Sequence, residues 1–252
     1  MASIPSLVRA LDRALGVAAF RDASHNGLQV ENSGRVRKVA CCVDATQASF
    51  EACRARGADL VVCHHGLSWG DSLKRITGLN HRRIAYLLRH DMALYACHLP
   101  LDAHPRLGNN ILICRALGLR RIRPFGDYHG VTIGFGGALP RPVPAARFKA
   151  AVARLTGGAV RSMDFGPPAV RTVAVVSGGA ADLAAEAGEK GYDVFLSGEA
   201  KLSAWHLARE HGIHALFAGH YATEVFGVRA VAGWIRRRLG VPAEFVDVRS
   251  PF

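Results

Sequence analysis

Residues 39–65, VACCVDATQASFEACRARGADLVVCHH, lie without gaps over residues 173–199, VAVVSGGAADLAAEAGEKGYDVFLSGE. Val39 meets Val173, Ala40 meets Ala174, Gly57 meets Gly191 and Asp59 meets Asp193. Both copies read as strand, loop, helix, glycine turn, strand. Further on, MALYACHLPLD (92–102) lies over HALFAGHYATE (214–224), and RALGL (115–119) over RRLGV (237–241). The opening SLVRALDRALG has a weaker counterpart in ARFKAAVARLTG. A chain that repeats itself in this way is expected to fold as an internal duplication. The reading is an α/β protein with two similar halves, 1–126 and 127–252, joined near the PFGDYHG turn at 124–130.

Composition narrows what such a duplicated scaffold can be. The 252 residues are half apolar, yet there is no uninterrupted apolar run of about 18 residues, the length a membrane helix needs. In the first segment Leu7, Leu11 and Leu15 are interleaved with charges, which predicts an amphipathic helix and not a signal peptide, so the chain is expected to stay in the cytoplasm. Six cysteines occur without a CxxC pair, and Cys63 and Cys97 sit on apolar strands beside histidines. They are read as reduced core residues, with a thiolate ligand at either position the less favoured alternative. The formal charge is +12. The arginines are scattered apart from short clusters at Arg120, Arg121, Arg123 and at Arg236, Arg237, Arg238, and no aromatic residues interleave with them. A solvated basic surface is therefore favoured over a nucleic-acid platform, and positive potential that draws in phosphorylated or acidic partners is the sharper alternative.

The chemistry lies where the two copies align. His98 with Asp102 superposes on His220 with Glu224, each a histidine followed four residues later by a carboxylate at the end of an apolar strand. Gly219 could release the second strand so that His220 and Glu224 share the first turn of a helix, and Pro100 suits a helix start that carries Asp102. His64 and His65 also end an apolar strand, and the C-terminal edge is where open α/β sheets keep their ligands. Extra residues around SHNGLQVE and GLSWGDSLKRITG decorate only the first copy, and both insertions adjoin histidines. A lone histidine at a strand end is more often structural than ligating. A pseudo-twofold arrangement that gathers His64, His65, Asp102, His220 and Glu224 offers more than one catalytic ion normally takes, and fits two divalent ions sharing a carboxylate. Nitrogen and oxygen donors without sulfur suit zinc, iron or manganese. His90, His129, His206 and His211 have no such pattern and are assigned no site role.

Four motifs in order, NGLQVE (26–31), VCHHGLSW (62–69), HLPLDAHPRLGNN (98–110) and GHYATE (219–224), resemble the Nif-three-like proteins, also called type 2 GTP cyclohydrolase I homologues, in their short bacterial form. The resemblance implies a dinuclear metal centre in which His65 and Asp102 bind one ion, His64 and His220 the other, and Glu224 bridges both. It implies a toroidal homohexamer with its sites facing an internal cavity. It also implies a hydrolase acting on a small molecule, in this reading a nucleotide whose guanine ring is attacked by metal-activated water. Many members carry Trp-Asp before Asn-Gly-Leu, where this chain has Ser24 and His25. His98, outside the matched ligand set, is the candidate catalytic proton shuttle, with holding Asp102 or a bridging water as its alternative. Asn109 and Asn110 are expected to cap the helix ILICRALG, with substrate binding the other reading. Two other functions stay open: metal-dependent phosphoester hydrolysis, and a non-enzymatic metal-binding scaffold or regulator. Neither GxxxxGK[ST] nor a convincing GxGxxG is present to select among them.

Overall fold

A computed structural model describes residues 2–250 and divides into two compact units. The first runs through His104 and takes up Gly227–Arg249; the second is Pro105–Phe226.

The first unit is built on a five-stranded sheet in the order Ala243–Phe245, Val39–Asp44, Leu60–His65, Ala93–Ala96, Gly27–Val30. The first four are mutually parallel and Gly27–Val30 closes the edge antiparallel. The central strands VACCV and LVVCH are buried on both faces, which suits a parallel sheet. Phe50 and Cys53 of helix Gln47–Ala55, Leu87 of helix Gly78–Arg89, and Met92 pack into one core with Val61, Cys63 and Leu94. Helix Ile4–Leu15 buries Ile4, Leu7, Leu11 and Leu15 as a single stripe, each contributing roughly 1.5–3 kcal/mol by leaving water. Gly16 ends that helix in the left-handed conformation.

The second unit carries a six-stranded sheet in the order Arg120–Tyr128, Val131–Pro144, Ala169–Val175, Val194–Ser197, His214–Phe217, Arg161–Asp164. Its three parallel strands, Ala169–Val175, Val194–Ser197 and His214–Phe217, correspond to Val39–Asp44, Leu60–His65 and Ala93–Ala96. The antiparallel edge strand Arg161–Asp164 beside the third of them answers to Gly27–Val30. Helix Ala145–Thr156, the counterpart of the opening helix, buries Phe148 and Val152 against Val173, Val194 and Leu216. The matched aspartates explain themselves. Asp59 Oδ2 accepts the backbone N–H of Arg37 and Lys38 at 2.7 and 3.3 Å, and Asp193 Oδ2 accepts those of Arg171 and Thr172 at 2.8 Å each. In both units this carboxylate ties the start of one strand to the chain entering the next.

One expectation changes in detail. The turn read over 124–130 is narrower: residues 124–128 belong to strand Arg120–Tyr128, and the chain reverses at His129 and Gly130, both at positive φ (53° and 81°), as a two-residue hairpin requires. The clusters at Arg120, Arg121, Arg123 and at Arg236, Arg237, Arg238 lie largely at the surface. The first is on the outermost strand of its sheet, where charge discourages further strand pairing, and the second in the last turn of helix His220–Leu239, where cations suit the carbonyl end. All six cysteines are free and buried. Burial pushes the thiols of Cys63 and Cys97 well above their ordinary range, as the core reading expects. Among the described residues, no helix is long and apolar enough to cross a membrane.

Candidate metal centre

In the first unit the strand Leu60–His65 ends in the two adjacent histidines. His64 is fully buried and His65 half-buried, and their rings stand 4.7 Å apart, tilted by 44°. Gly66 is needed next: a Cβ there would fall 2.5 Å from the Gln29 amide and 2.6 Å from Ala96 Cβ. Gln29 Oε1 instead accepts the N–H of Leu67 at 2.7 Å and of Ser68 at 3.1 Å, which holds the turn after the histidines. The neighbouring strand Ala93–Ala96 ends just before His98, which precedes the short helix Leu99–Asp102 with Pro100 in its first turn. Asp102 is buried in that turn, its Oδ2 3.5 Å from His64 Nε2. His64, His65 and His98 each offer a ligand atom within 4.8 Å of the others, a group that could hold a metal ion. Trp69 lies edge-on to His98 at 4.8 Å, anchored by its indole N–H to the Gly66 carbonyl at 2.7 Å.

In the second unit, Gly219 at φ 96° releases the chain from strand His214–Phe217 directly into helix His220–Leu239. His220 and Glu224 therefore share one helix face, with Nε2 3.1 Å from Oε1. Glu224 is buried. The SGG loop after strand Ala169–Val175 packs closely on this pair: a Cβ on Gly178 would come within 2.4 Å of Glu224 Oε1 and 3.1 Å of His220 Nε2. Thr223 Oγ1 accepts the Gly178 N–H at 3.1 Å and fixes the loop.

The histidines share one arrangement. His64 Nδ1 donates to the Cys97 carbonyl at 2.9 Å, His65 Nδ1 to Asp44 at 2.7 Å, and His220 Nδ1 to Glu199 at 2.6 Å. His98 Nδ1 does the same with Asp22, 3.0 and 3.1 Å from its two oxygens. Each ring is thus held at Nδ1 from behind and turns Nε2 forward, the arrangement typical of metal-ligating imidazoles. Nitrogen and carboxylate donors held in this manner fit a borderline divalent ion such as zinc, iron or manganese. Around His220, burial opposes protonation, but the carboxylates of Glu224 and Glu199 outweigh it and lift the imidazolium pKa to about 9. At Asp22, burial opposes the charge, but bonds from His98, Asn26 and Ser24 outweigh it and hold the carboxyl down at about 2.

Asp22, Asp44 and Glu199 are the residues that motif reasoning missed. Glu199 superposes on His65 in the duplication, and Asp44 ends the strand paired with Leu60–His65, so alignment and strand-end position could have singled them out. The capping expectation for Asn109 and Asn110 is corrected. Gly108 occupies the cap of helix Asn109–Ala116 with no side-chain cap bond. Asn110, fully buried, instead ties strand Val131–Pro144 to the loop after Ala169–Val175, donating to the Ile133 carbonyl at 2.8 Å and accepting the Ser177 N–H at 2.6 Å.

The chain is 43% identical over 246 residues to the GTP cyclohydrolase 1 type 2 homolog of Archaeoglobus fulgidus, covering 98% of each. It is 42% identical over 241 residues to the protein of the same name from Deinococcus radiodurans, covering 96% of this chain and 91% of that one. Among solved structures it superposes on the protein ybgI with a TM-score of 0.94 at 34% identity, covering 99% of this chain and 100% of that one. On a protein from Thermus thermophilus the TM-score is 0.91 at 37% identity, with the same coverage. The family model described as Duf34/NIF3 (NGG1p interacting factor 3) matches residues 2–251, and the chain belongs to that family.

Proposed function

We propose that this chain is a dinuclear metal-dependent hydrolase of the GTP cyclohydrolase type 2 kind, acting on a small molecule with a nucleotide base as the attacked group. Its ligand set is drawn from both halves, 1–126 and 127–252: His65 and Asp102 for one ion, His64 and His220 for the other, and Glu224 bridging. The observation that carries this reading is the shared posture of the histidines, each with Nδ1 tied to an oxygen behind it. A structural histidine at a strand end needs no such uniform treatment, whereas a ligating one gains basicity and a fixed orientation from it. The names borne by the A. fulgidus and D. radiodurans relatives support the cyclohydrolase assignment.

Two bound ions would acidify a water and neutralise negative charge that builds on the reacting group. The remaining work falls to this chain's own side chains. His98, with Nδ1 engaged by Asp22, accepts or delivers a proton at Nε2. Trp69 packs edge-on against the His98 ring and limits its movement. The chain assembles as a toroidal homohexamer, which sedimentation of the purified protein would test.

The deciding experiment incubates metal-loaded protein with GTP and a panel of nucleotides and phosphoesters while products are followed by mass. A formamidopyrimidine or dihydroneopterin product supports the proposal. Free phosphate alone makes the protein a phosphoesterase, and no turnover makes it a metal-binding scaffold.

A further inference from the structure

Asp22 stands out among the acidic residues of the first unit. Its side chain is only 2% exposed, and the group that meets its charge is not a lysine or an arginine but His98. Four groups converge on its two oxygens. The N–H of Ser24 and the Asn26 amide donate at 3.0 and 2.9 Å, the N–H of Leu99 at 3.0 Å, and His98 Nδ1 at 3.0 and 3.1 Å. Asn26 completes the grip, since its Oδ1 accepts the His98 backbone N–H at 2.7 Å.

Two consequences follow from the chemistry of the acceptor. Leu99 is the first residue of the helix that carries Asp102, and the preceding residue, His98, makes no side-chain cap. Asp22 supplies that cap from 77 residues away along the chain, so the turn bearing Asp102 is anchored by a carboxylate rather than left to water. An ionised carboxylate can only accept, so a neutral His98 bonded to it must carry its proton on Nδ1 and present a lone pair on Nε2.

We infer that Asp22 is a positioning residue that makes His98 a proton acceptor: it fixes the Nδ1–H tautomer, directs Nε2 toward the His64 and His65 rings, and anchors the turn that holds Asp102. The ring centroids of His64 and His65 stand 5.1 and 5.7 Å from that of His98. The use of Nε2 as a proton acceptor rests on the function proposed above; the tautomer and the anchoring do not.

The test reads the tautomer directly. Full-length protein labelled with ¹⁵N-histidine is stripped of metal by chelator at mildly alkaline pH, and two-bond proton–nitrogen correlations are recorded, with His98→Gln used to assign the His98 signals. In the neutral ring, wild type is expected to carry the His98 proton on Nδ1. In Asp22→Asn the carboxamide keeps an acceptor for the Leu99 N–H and turns its NH₂ to the ring, so His98 should invert to the Nε2–H form. An Nε2–H signal from the neutral ring in wild type would overturn the inference, and so would an Asp22→Asn protein that retains the Nδ1–H form. The wild-type spectrum decides even if the variant does not fold. Should the tautomer be as stated while no nucleotide is turned over, the positioning role stands and the proposed reaction falls.

Discussion

His220 Nδ1 lies 2.6 Å from Glu199 Oε1, and Glu199 is the residue that occupies, in the second copy of the duplication, the place His65 holds in the first. The repeat has thus kept a polar group at one strand end and changed its task, from a nitrogen that faces the site to a carboxylate that holds a neighbour's ring. Glu199→Gln should leave the fold intact and weaken metal retention by about 10–100-fold, the usual cost of removing a carboxylate behind a ligating imidazole. Glu224→Gln, which alters a proposed bridging ligand, should lose more, including at least one whole ion. Elemental analysis after dialysis against graded chelator measures both, and full metal content in both variants would sink the assignments.

Gly178 tests how tightly the second unit is packed around its charged pair. Its φ of 67° disfavours any side chain, and an alanine Cβ would fall 2.4 Å from Glu224 Oε1. Gly178→Ala should destabilise the protein by about 1–3 kcal/mol and displace Glu224. Urea unfolding would show a lower midpoint together with reduced metal content. A variant with wild-type midpoint and metal content would mean the loop yields freely.

Asp22 predicts a pH dependence. Its carboxyl is held at about 2, against 3.8 for the unperturbed group, so it is a depressed acid. Its stabilisation is complete above the unfolded value and is lost as pH falls from about 4 toward 2. The contribution at neutral pH is on the order of 1–2 kcal/mol. The gap in urea midpoint between wild type and Asp22→Asn should therefore narrow as pH is lowered through that window. A gap that stays constant would show that the charge of Asp22 contributes nothing.

How much of this is legible in the residues follows from the distance over which each signal acts. The repeat, the apolar strands ending in histidine, the release of the chain at Gly219 and the helix start at Pro100 are local patterns, and the structure has each where the spacing puts it. The Nif-three-like resemblance holds over residues 2–251. Asp22 is not legible, because it meets His98 across 76 residues of chain and sits in no periodic element. Asn110 misleads for a related reason. An asparagine before an apolar run has the composition of a helix cap, and only the fold reveals that its amide is taken by Ile133 and Ser177.

The central claim is that one metal site draws its ligands from both halves of the duplication, and thermal unfolding with and without chelator tests it most directly. Ligand binding to the native state adds RT ln(1 + [L]/Kd), about 4 kcal/mol at a thousandfold excess over Kd, which for a chain of this size is a shift on the order of 10 °C. Wild type and His206→Ala, which changes an exposed histidine with no site role, should both lose this shift on chelation. His220→Ala should show little metal-dependent shift to lose, although it leaves His64, His65 and Asp102 untouched. Equal chelator sensitivity in all three proteins would contradict the claim.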